Sequence, residues 1–233
     1  MRFDVISIFP QVFEPFASVG VVGRAVKEGR VEIRAHDLRA FTHDAHRQVD
    51  DAPFGGGAGM VLKPEPVFEA VEAVRRENGG PVILFEPWGE PFTQGVAREL
   101  AQAPGLILVC GRYEGIDDRV RAALADRELS VGDFVLSGGE IPALAVIDAV
   151  ARLLPGVVGD PQSLEQDSFR HPQGHEQAGL LGYPQYTRPA EFRGLNVPEV
   201  LLSGDHAAIA RWRREQSERR TRHRSENLKG VKS

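Results

Sequence analysis

Cysteine is nearly absent from this sequence of 233 residues, which contains only Cys110. A single cysteine cannot form a disulfide within the chain, so the fold must be held by packing rather than by such cross-links. Cys110 ends the apolar run at residues 106–109, and a free cysteine in such a place behaves as a small hydrophobic side chain. We therefore predict that Cys110 is buried and is not a catalytic or metal-bound thiolate.

Long hydrophobic runs are also missing. No stretch approaches the roughly 18 apolar residues that a membrane-spanning helix needs. The N-terminal apolar run is short, contains Asp4 and is typical of a strand, which argues against a signal peptide. We expect a cytoplasmic protein without a membrane partner. Its content of 42% hydrophobic and 26% charged residues is typical of a globular protein.

The charge is distributed unevenly along the chain. The formal net charge is −5, which by itself would argue against a nucleic-acid partner. Residues 181–233, however, hold 11 Lys and Arg against 6 Asp and Glu, whereas residues 1–180 hold 17 against 27. Such asymmetry predicts a basic appendage that binds a polyanion.

Short apolar segments alternate with segments of helical periodicity. Strands are predicted at residues 3–9, 31–35, 82–85, 106–110 and around 129, and helices at 11–28, 64–78, 93–101, 117–125 and 141–154. Strands that are apolar throughout and alternate with helices are typical of a parallel sheet. The sequence therefore predicts an α/β fold in which helices cover both faces of that sheet.

The chain changes character after residue 159. Residues 160–177 are rich in Pro, Gln, Gly, His and Ser and show almost no apolar periodicity, which predicts a mobile linker. Two further helices are predicted beyond it, at residues 197–202 and 205–224. We therefore expect a domain over residues 1–159, a linker over 160–177 and a small helical domain over 178–233.

Glycine is concentrated at residues 54–60, Phe-Gly-Gly-Gly-Ala-Gly-Met. A dinucleotide-binding fingerprint would follow a strand and open a helix, and this segment does neither. Two interpretations remain open: a flexible surface loop, or a place where the backbone approaches a ligand closely.

Three other glycine-bearing segments lie at the ends of predicted strands or lead into a helix, at residues 85–89, 110–115 and 131–140. Ligands of parallel α/β sheets bind at the carboxyl ends of the strands. Loops of this kind offer many backbone N–H and C=O groups, which suits a purine and a ligand that carries a carboxylate. We predict that the three segments converge on one binding site.

The motifs of these loops carry a resemblance to a known family. Residues 110–115, Cys-Gly-Arg-Tyr-Glu-Gly, and residues 130–140, Ser-Val-Gly-Asp-Phe-Val-Leu-Ser-Gly-Gly-Glu, closely resemble the bacterial tRNA (guanine-N1)-methyltransferases, a knotted family of the SPOUT class. Further matches follow in the family's order at residues 41–44, 49–51, 55–59, 167–169, 186–189 and 201–204. The resemblance therefore covers nearly the whole chain.

The resemblance implies a fold and a reaction that periodicity cannot reveal. It implies a deep trefoil knot, which is exceptional among folds, and an obligate homodimer with active sites between the subunits. It also implies S-adenosylmethionine as methyl donor and tRNA, not DNA, as substrate. The implied reaction methylates N1 of the guanosine at position 37, immediately 3′ of the anticodon, and thereby maintains the reading frame. The family is also magnesium-dependent, but the metal ligands are unknown from this sequence.

Site residues follow from the resemblance by motif. The catalytic pair would be Asp167, as the base that removes the N1 proton, and Arg152, whose guanidinium would stabilise the charge that develops on O6. The residues expected to contact the methyl donor are Pro87, Gly111, Tyr113, Glu114, Val131, Gly132, Asp133, Phe134, Val135, Leu136, Gly138, Gly139 and Pro142.

The chain departs from the family pattern at several points. Glu86 and Trp88 flank Pro87 where Ser and a smaller polar residue are expected, and Phe134 replaces a common Tyr. Residues 170–178 form a longer stretch than usual, and the chain ends early, so we expect an abbreviated small domain. None of these departures affects the catalytic pair.

The predicted helix at residues 205–224 contains seven arginines, all from Arg211 onwards, with only Glu215 and Glu218 as acidic residues between them. This composition favours contacts with phosphates, although a solvated helix face is the alternative. Two other functions also remain open. One is a related knotted enzyme that methylates ribose 2′-hydroxyls; the other is a non-catalytic RNA-binding protein.

Overall fold

A computed structural model describes residues 1–159, 167–169 and 179–230 of the chain, with side chains described as far as residue 227. The chain divides into two compact units, Met1–Gly159 and Asp160–Ser233. No helix in the described part of the chain is both long enough and apolar enough to cross a membrane.

The first unit is built on a parallel sheet of five strands. These are β1 (Arg2–Ser7), β2 (Glu32–Asp37), β5 (Val82–Pro91), β6 (Gly105–Val109) and β7 (Arg127–Ser130). Their order across the sheet is β2-β1-β6-β5-β7, and every neighbouring pair is parallel. Two short strands, β3 (Asp50–Asp51) and β4 (Val61–Leu62), form a separate antiparallel pair.

Six helices surround this sheet: α1 (Phe13–Ser18), α2 (Gly20–Lys27), α3 (Pro64–Arg75), α4 (Gln94–Leu100), α5 (Asp118–Leu124) and α6 (Glu140–Ala151). The central strand β6 is apolar on both faces because helices cover each face, whereas the edge strands β2 and β7 carry charged residues and are partly exposed. Along β6, Leu106 and Leu108 join the cluster that contains α1, α2, α4 and α6, whereas Ile107 and Val109 join the cluster that contains α3 and α5. The predicted α/β fold, with a parallel sheet between two layers of helices, is confirmed.

Cys110 directly follows β6 and is 1% exposed. Burial raises the pKa of its thiol well above the usual range, with a further contribution from the negative charge of Glu140. A protonated, enclosed thiol is a poor nucleophile. The prediction that Cys110 is a buried hydrophobic residue is therefore confirmed.

The prediction of a single helix at residues 11–28 is wrong. The structure has a short 3₁₀ helix, Pro10–Val12, followed by the separate helices α1 and α2. Val19 between them is extended, and Gly20 has a φ of +64°, which a residue with a Cβ rarely adopts. Apolar spacing continues across this break, so periodicity did not reveal it.

The strand predicted at residues 82–85 is longer than expected, because β5 continues to Pro91. Its pairing with β7 is interrupted: Phe85 and Glu90 both pair with Leu129. Residues 86–89 therefore bulge out of the ladder. A bulge re-aims the side chains that it carries, and such irregularities are common beside functional sites.

The second unit contains a short hairpin of β8 (Glu191–Phe192) and β9 (Leu195–Asn196) and the long helix α7 (His206–Gly230). The helix predicted at residues 197–202 is wrong, since only a 3₁₀ turn at Glu199–Leu201 forms there. The linker predicted at residues 160–177 lies outside the described residues, apart from 167–169.

Candidate functional site

A cavity of about 310 Å³ lies where the ends of β6 and β7 and the bulge of β5 meet the start of α6. Its walls come from the bulged residues 86–88, from residues 111–116 after β6 and from the segment between β7 and α6. The structure thus brings together the three glycine-bearing loops at the carboxyl edge of the sheet. The volume is at the lower end of the roughly 300–1,000 Å³ that is usual for small-molecule sites.

Most of the residues expected to contact a methyl donor line this cavity. They are Pro87, Gly111, Tyr113, Glu114, Val131, Gly132, Phe134, Val135, Leu136, Gly138, Gly139 and Pro142. Asp133 is exposed and is not part of the lining. Phe134 is 58% exposed and Tyr113 is 50% exposed, so both rings have surface available to a ligand.

Gly139 allows the loop before α6 to lie directly against the end of β6. Its N–H donates to the carbonyl of Gly111 at 2.9 Å. A Cβ on Gly139 would lie 2.7 Å from Cα of Cys110, which is closer than real Cβ contacts. Gly138 pairs with Arg112 in an isolated antiparallel bridge and is packed against the side chain of that arginine. Glycine is therefore required here by packing.

A buried polar network connects the loop after β6 and the loop before α6 to strand β1. Glu140, the first residue of α6, is 1% exposed and accepts hydrogen bonds from Ser7 Oγ at 2.6 Å and from Arg112 Nε at 2.9 Å. The guanidinium of Arg112 also lies 4.7 Å from the ring centroid of Phe9 and donates to Ser137 Oγ at 3.3 Å. A buried carboxylate with these partners ties β1, the loop after β6 and α6 together.

Sequence reasoning missed this network. Its members are far apart in sequence, and Ser7 and Phe9 carry no motif. The available signal was weak: Arg112 and Glu140 are oppositely charged residues in glycine-rich loops, but Glu114 and Asp133 lie in the same loops. Charged residues that are buried must find partners, so such a pattern predicts an ion pair without identifying it.

The glycine-rich segment at residues 54–60 borders the same region. Gly59 is packed against the carboxyl group of Glu114, and the N–H of Glu114 donates to the carbonyl of Met60 at 3.0 Å. Gly55, Gly56 and Gly57 have positive φ angles, and a Cβ on any of them would meet nothing within 4 Å. One end of the segment thus packs beside a cavity residue, and the other end is exposed.

Glu86 is a half-buried carboxyl group in the cavity wall. Burial and the nearby carboxylate of Glu128 raise its pKa to about 7, while Arg121 acts in the opposite direction. Glu128 itself accepts a hydrogen bond from the indole N–H of Trp88 at 2.7 Å. The sequence marked Glu86 as a departure from the family pattern but did not indicate its electrostatic environment.

The expected catalytic pair is divided between the two units. Arg152 directly follows α6 in the first unit, where it is half-buried, and its backbone N–H donates to the carbonyl of Asp148 at 3.2 Å. Asp167 belongs to the second unit and is also half-buried. Their pairing in an active site stays a prediction.

Metal ligands were not identified from the sequence. Within residues 1–159, 167–169 and 179–230, no group of three or more His, Cys, Asp or Glu side chains is placed to hold a metal ion.

The seven arginines of α7 differ in their contacts. Arg214 is paired with Glu218 on the same helix, at 3.1 Å, and the other six form two groups of three. Arg213 lies over the ring of Tyr183 at 4.7 Å, Arg220 donates to the carbonyl of Gly182 at 3.1 Å, and Arg224 lies over the ring of Phe169 at 4.8 Å. These three make contacts within the second unit.

Arg211, Arg219 and Arg222 are exposed, and none of them has an ion-pair partner among the residues that the structure describes. Arg211 and Arg222 are eleven residues apart, which is about three helical turns, so they share one side of α7. We call these three residues the exposed arginine group. Sequence composition alone did not separate them from the structural arginines.

The fold and the cavity define an α/β protein whose ligand site is formed by glycine-bearing loops at the carboxyl ends of parallel strands, with a separate unit that carries a basic helix. The comparisons with known proteins make the assignment specific. Residues 1–230 match the family model described as tRNA (Guanine-1)-methyltransferase TrmD. This chain belongs to that family.

Similar curated proteins carry the same name. A tRNA (guanine-N(1)-)-methyltransferase of Synechococcus sp. (strain JA-2-3B'a(2-13)) is 55% identical over 228 residues, which cover 98% of this chain and 88% of that protein. The protein of the same name from Moorella thermoacetica is 54% identical, in an alignment that covers 98% of this chain and 90% of that protein. The protein of that name from Persephonella marina is also 54% identical, in an alignment that covers 92% of this chain and 82% of that protein.

Proposed function

We propose that this chain transfers a methyl group from S-adenosylmethionine to N1 of the guanosine at position 37 of tRNA, immediately 3′ of the anticodon, and so maintains the reading frame. Membership of the family supports the reaction. The observation that carries the proposal is the convergence of the three glycine-bearing loops on one cavity at the carboxyl edge of the sheet.

The cavity fits an adenosyl ligand. The loops that contain Gly111, Gly132 and Gly138 line the cavity and can offer backbone N–H and C=O groups, and the exposed rings of Tyr113 and Phe134 can stack on a purine. Bound S-adenosylmethionine supplies an electrophilic methyl group on its sulfonium. The role of the surrounding loops is then to hold that methyl in line with the attacking nitrogen, because positioning accounts for much of the rate of such a transfer.

Asp167 and Arg152 are the residues that we propose for the chemistry on guanine. N1 carries a proton and is a poor nucleophile until that proton leaves. The carboxylate of Asp167 would accept it, and the guanidinium of Arg152 would donate to O6, where negative charge develops. A donor aimed at developing charge typically contributes about 2.7–4 kcal/mol.

The remaining family properties are part of the same proposal. We propose a trefoil knot, a homodimer, a cytoplasmic location, and a division into a methyltransferase domain (residues 1–159), a linker (160–177) and a small tRNA-binding domain (178–233). The path of the chain supports the knot. β7 lies at the sheet edge beyond β5, yet the loop after it returns to the end of β6. Mg²⁺ belongs to the same proposal: a bound cation near the site would stabilise the charge that develops on the guanine, and its ligands are not assigned.

Incubation with labelled S-adenosylmethionine and a tRNA transcript, followed by nucleoside chromatography, tests the proposal. We expect label in 1-methylguanosine, and none when position 37 of the transcript is adenosine. Label in a ribose-methylated nucleoside would support the enzyme that acts on 2′-hydroxyls. Tight tRNA binding without donor binding or methyl transfer would support a non-catalytic RNA-binding protein.

A further inference from the structure

The bulge in β5 presents a carboxyl group to the cavity. Residues 86–89 leave the ladder between β5 and β7, and Glu86, Pro87 and Trp88 line the cavity wall. In the part of the chain that the structure describes, Glu86 has neither a hydrogen-bond partner nor an ion-pair partner. An ionisable group that is half-buried and unpartnered in a ligand cavity is a candidate for contact with the ligand.

The charged groups that face Glu86 come from two elements. Glu128 lies on β7, and Asp118 and Arg121 lie on α5. Arg121 is already paired with Asp118: its Nε donates to Oδ1 at 2.5 Å and its Nη2 donates to Oδ2 at 3.0 Å. Its Nη1 lies 3.6 Å from Oε1 of Glu128. One cation therefore faces three carboxyl groups. When Glu86 ionises, this wall of the cavity carries an excess of negative charge.

The two ligands that must exchange in this cavity differ by one positive charge. S-adenosylmethionine carries a sulfonium, and the product S-adenosylhomocysteine carries a neutral thioether in its place; their adenosine, amino and carboxylate groups are the same. A fixed negative charge attracts the sulfonium and gives no such attraction to the thioether. Residues that contact only the shared groups cannot distinguish the two ligands.

We propose that Glu86 is a specificity-determining residue, whose carboxylate makes the cavity prefer the cationic methyl donor over the uncharged product. This inference rests on the proposed function, because it requires the donor to bind in this cavity. It assigns a role to a residue at which this chain departs from the family pattern. The consequence is weaker product inhibition and easier exchange of product for donor.

If Glu86 has this role, the affinity for the methyl donor depends on pH. Because the pKa of Glu86 is about 7, the group is partly protonated near neutrality. Binding of a cation favours its ionised form, so donor binding releases a proton, and donor affinity rises as pH increases from 6 to 8. The contribution of Glu86 to product affinity lacks this dependence. The preference for the donor should therefore grow with pH and level off above the pKa.

Calorimetric titration of both ligands at pH 6 and pH 8 tests this, with the full-length protein and Glu86→Gln. We expect the preference for donor over product to rise several-fold between the two pH values in the parent protein. In Glu86→Gln it should be lower at pH 8 by on the order of tenfold, the equivalent of one pKa unit of coupling, and nearly independent of pH. Glu72→Gln, an exposed change on α3, is the matched control and should behave as the parent does.

The outcomes separate this inference from the proposed function. If both ligands bind and Glu86→Gln keeps the parent's preference and pH dependence, the role of Glu86 is overturned while the donor site stands. If neither ligand binds the parent protein, the donor site itself is overturned, and the role of Glu86 with it. Should Glu86→Gln fail to fold, as checked by thermal unfolding, Glu86→Ser is the second variant, and the same result is expected of it.

Discussion

Carboxyl groups of this chain differ in chemistry because their surroundings differ. Glu140 is buried but has Ser7 and Arg112 as hydrogen-bond partners, so it is a structural anchor. Glu86 is half-buried without such partners, and burial raises its pKa to about 7. Asp167, in the second unit, is proposed as the catalytic base because of the sequence motif in which it lies. The residue type alone does not distinguish these three roles.

The role of Asp167 is tested by replacing it with Ala and with Asn. Both changes remove the base for N1, so we expect the single-turnover rate of methyl transfer to fall by roughly 10²–10⁴. Affinity for the methyl donor should stay within about twofold of the parent value, which calorimetry measures and which serves as the control for folding. Asn keeps the shape of the side chain, so a rate near that of the parent in Asp167→Asn would rule out the general-base role.

At the scale of elements, the site depends on how loops leave the strands. The bulge of β5, the turn after β6 and the loop before α6 meet because Gly138 and Gly139 allow close packing against residues 110–112. Gly139 has an ordinary φ of −78°, so its requirement is steric rather than conformational. The donor cavity is thus a product of loop packing.

Gly139→Ala tests this dependence. The new Cβ would collide with Cα of Cys110, 2.7 Å away, and displace the loop that lines the cavity. We expect affinity for S-adenosylmethionine to fall by at least tenfold in calorimetry. Gly95→Ala on α4 is the matched control, because its Cβ would meet only Thr93 Oγ1 at 3.5 Å, an ordinary contact. Equal donor affinity in both variants would show that the loop before α6 does not form the site.

At the scale of the whole molecule, charge and chemistry are divided. Residues 1–180 are acidic and contain the cavity, whereas residues 181–233 are basic. The arginines that contact Tyr183, Gly182 and Phe169 stabilise the second unit. The exposed arginine group has no comparable protein contact in the described chain, which leaves it available to phosphates.

Replacement of Arg211, Arg219 and Arg222 by Ala tests this division. Each lost phosphate contact reduces the slope of log affinity against log salt by about 0.7–0.9. We expect weaker tRNA binding and a slope lower by up to about 2–3 units in filter-binding titrations over a range of salt concentrations. Affinity for the methyl donor should be unchanged. The double variant Lys27→Ala and Arg76→Ala removes exposed charge from the first unit and is the control.

The result that contradicts this division is an unchanged tRNA affinity and slope in the triple variant. The exposed arginine group would then be a solvated face of α7, and the contacts with RNA would have to be made by other residues. An equal loss in the control variant would instead indicate a general effect of net charge.

The sequence by itself determined the alternation of buried strands and amphipathic helices, because periodicity and apolar runs are local properties. It also determined which loops follow strands and carry glycine, and its motifs identified the family that the comparisons confirm. These features depend on residues that are close together in the chain. A single sequence is sufficient for them.

Only the tertiary structure decided the features that depend on distant contacts. Ser7 and Glu140 are 133 residues apart, and no local pattern pairs them. The break between α1 and α2, the bulge in β5 and the hairpin in the second unit likewise arise where backbone conformation or sheet pairing overrides apolar spacing. The same reason separates the structural arginines of α7 from the exposed ones: their partners lie on other elements, which the spacing of the arginines does not reveal.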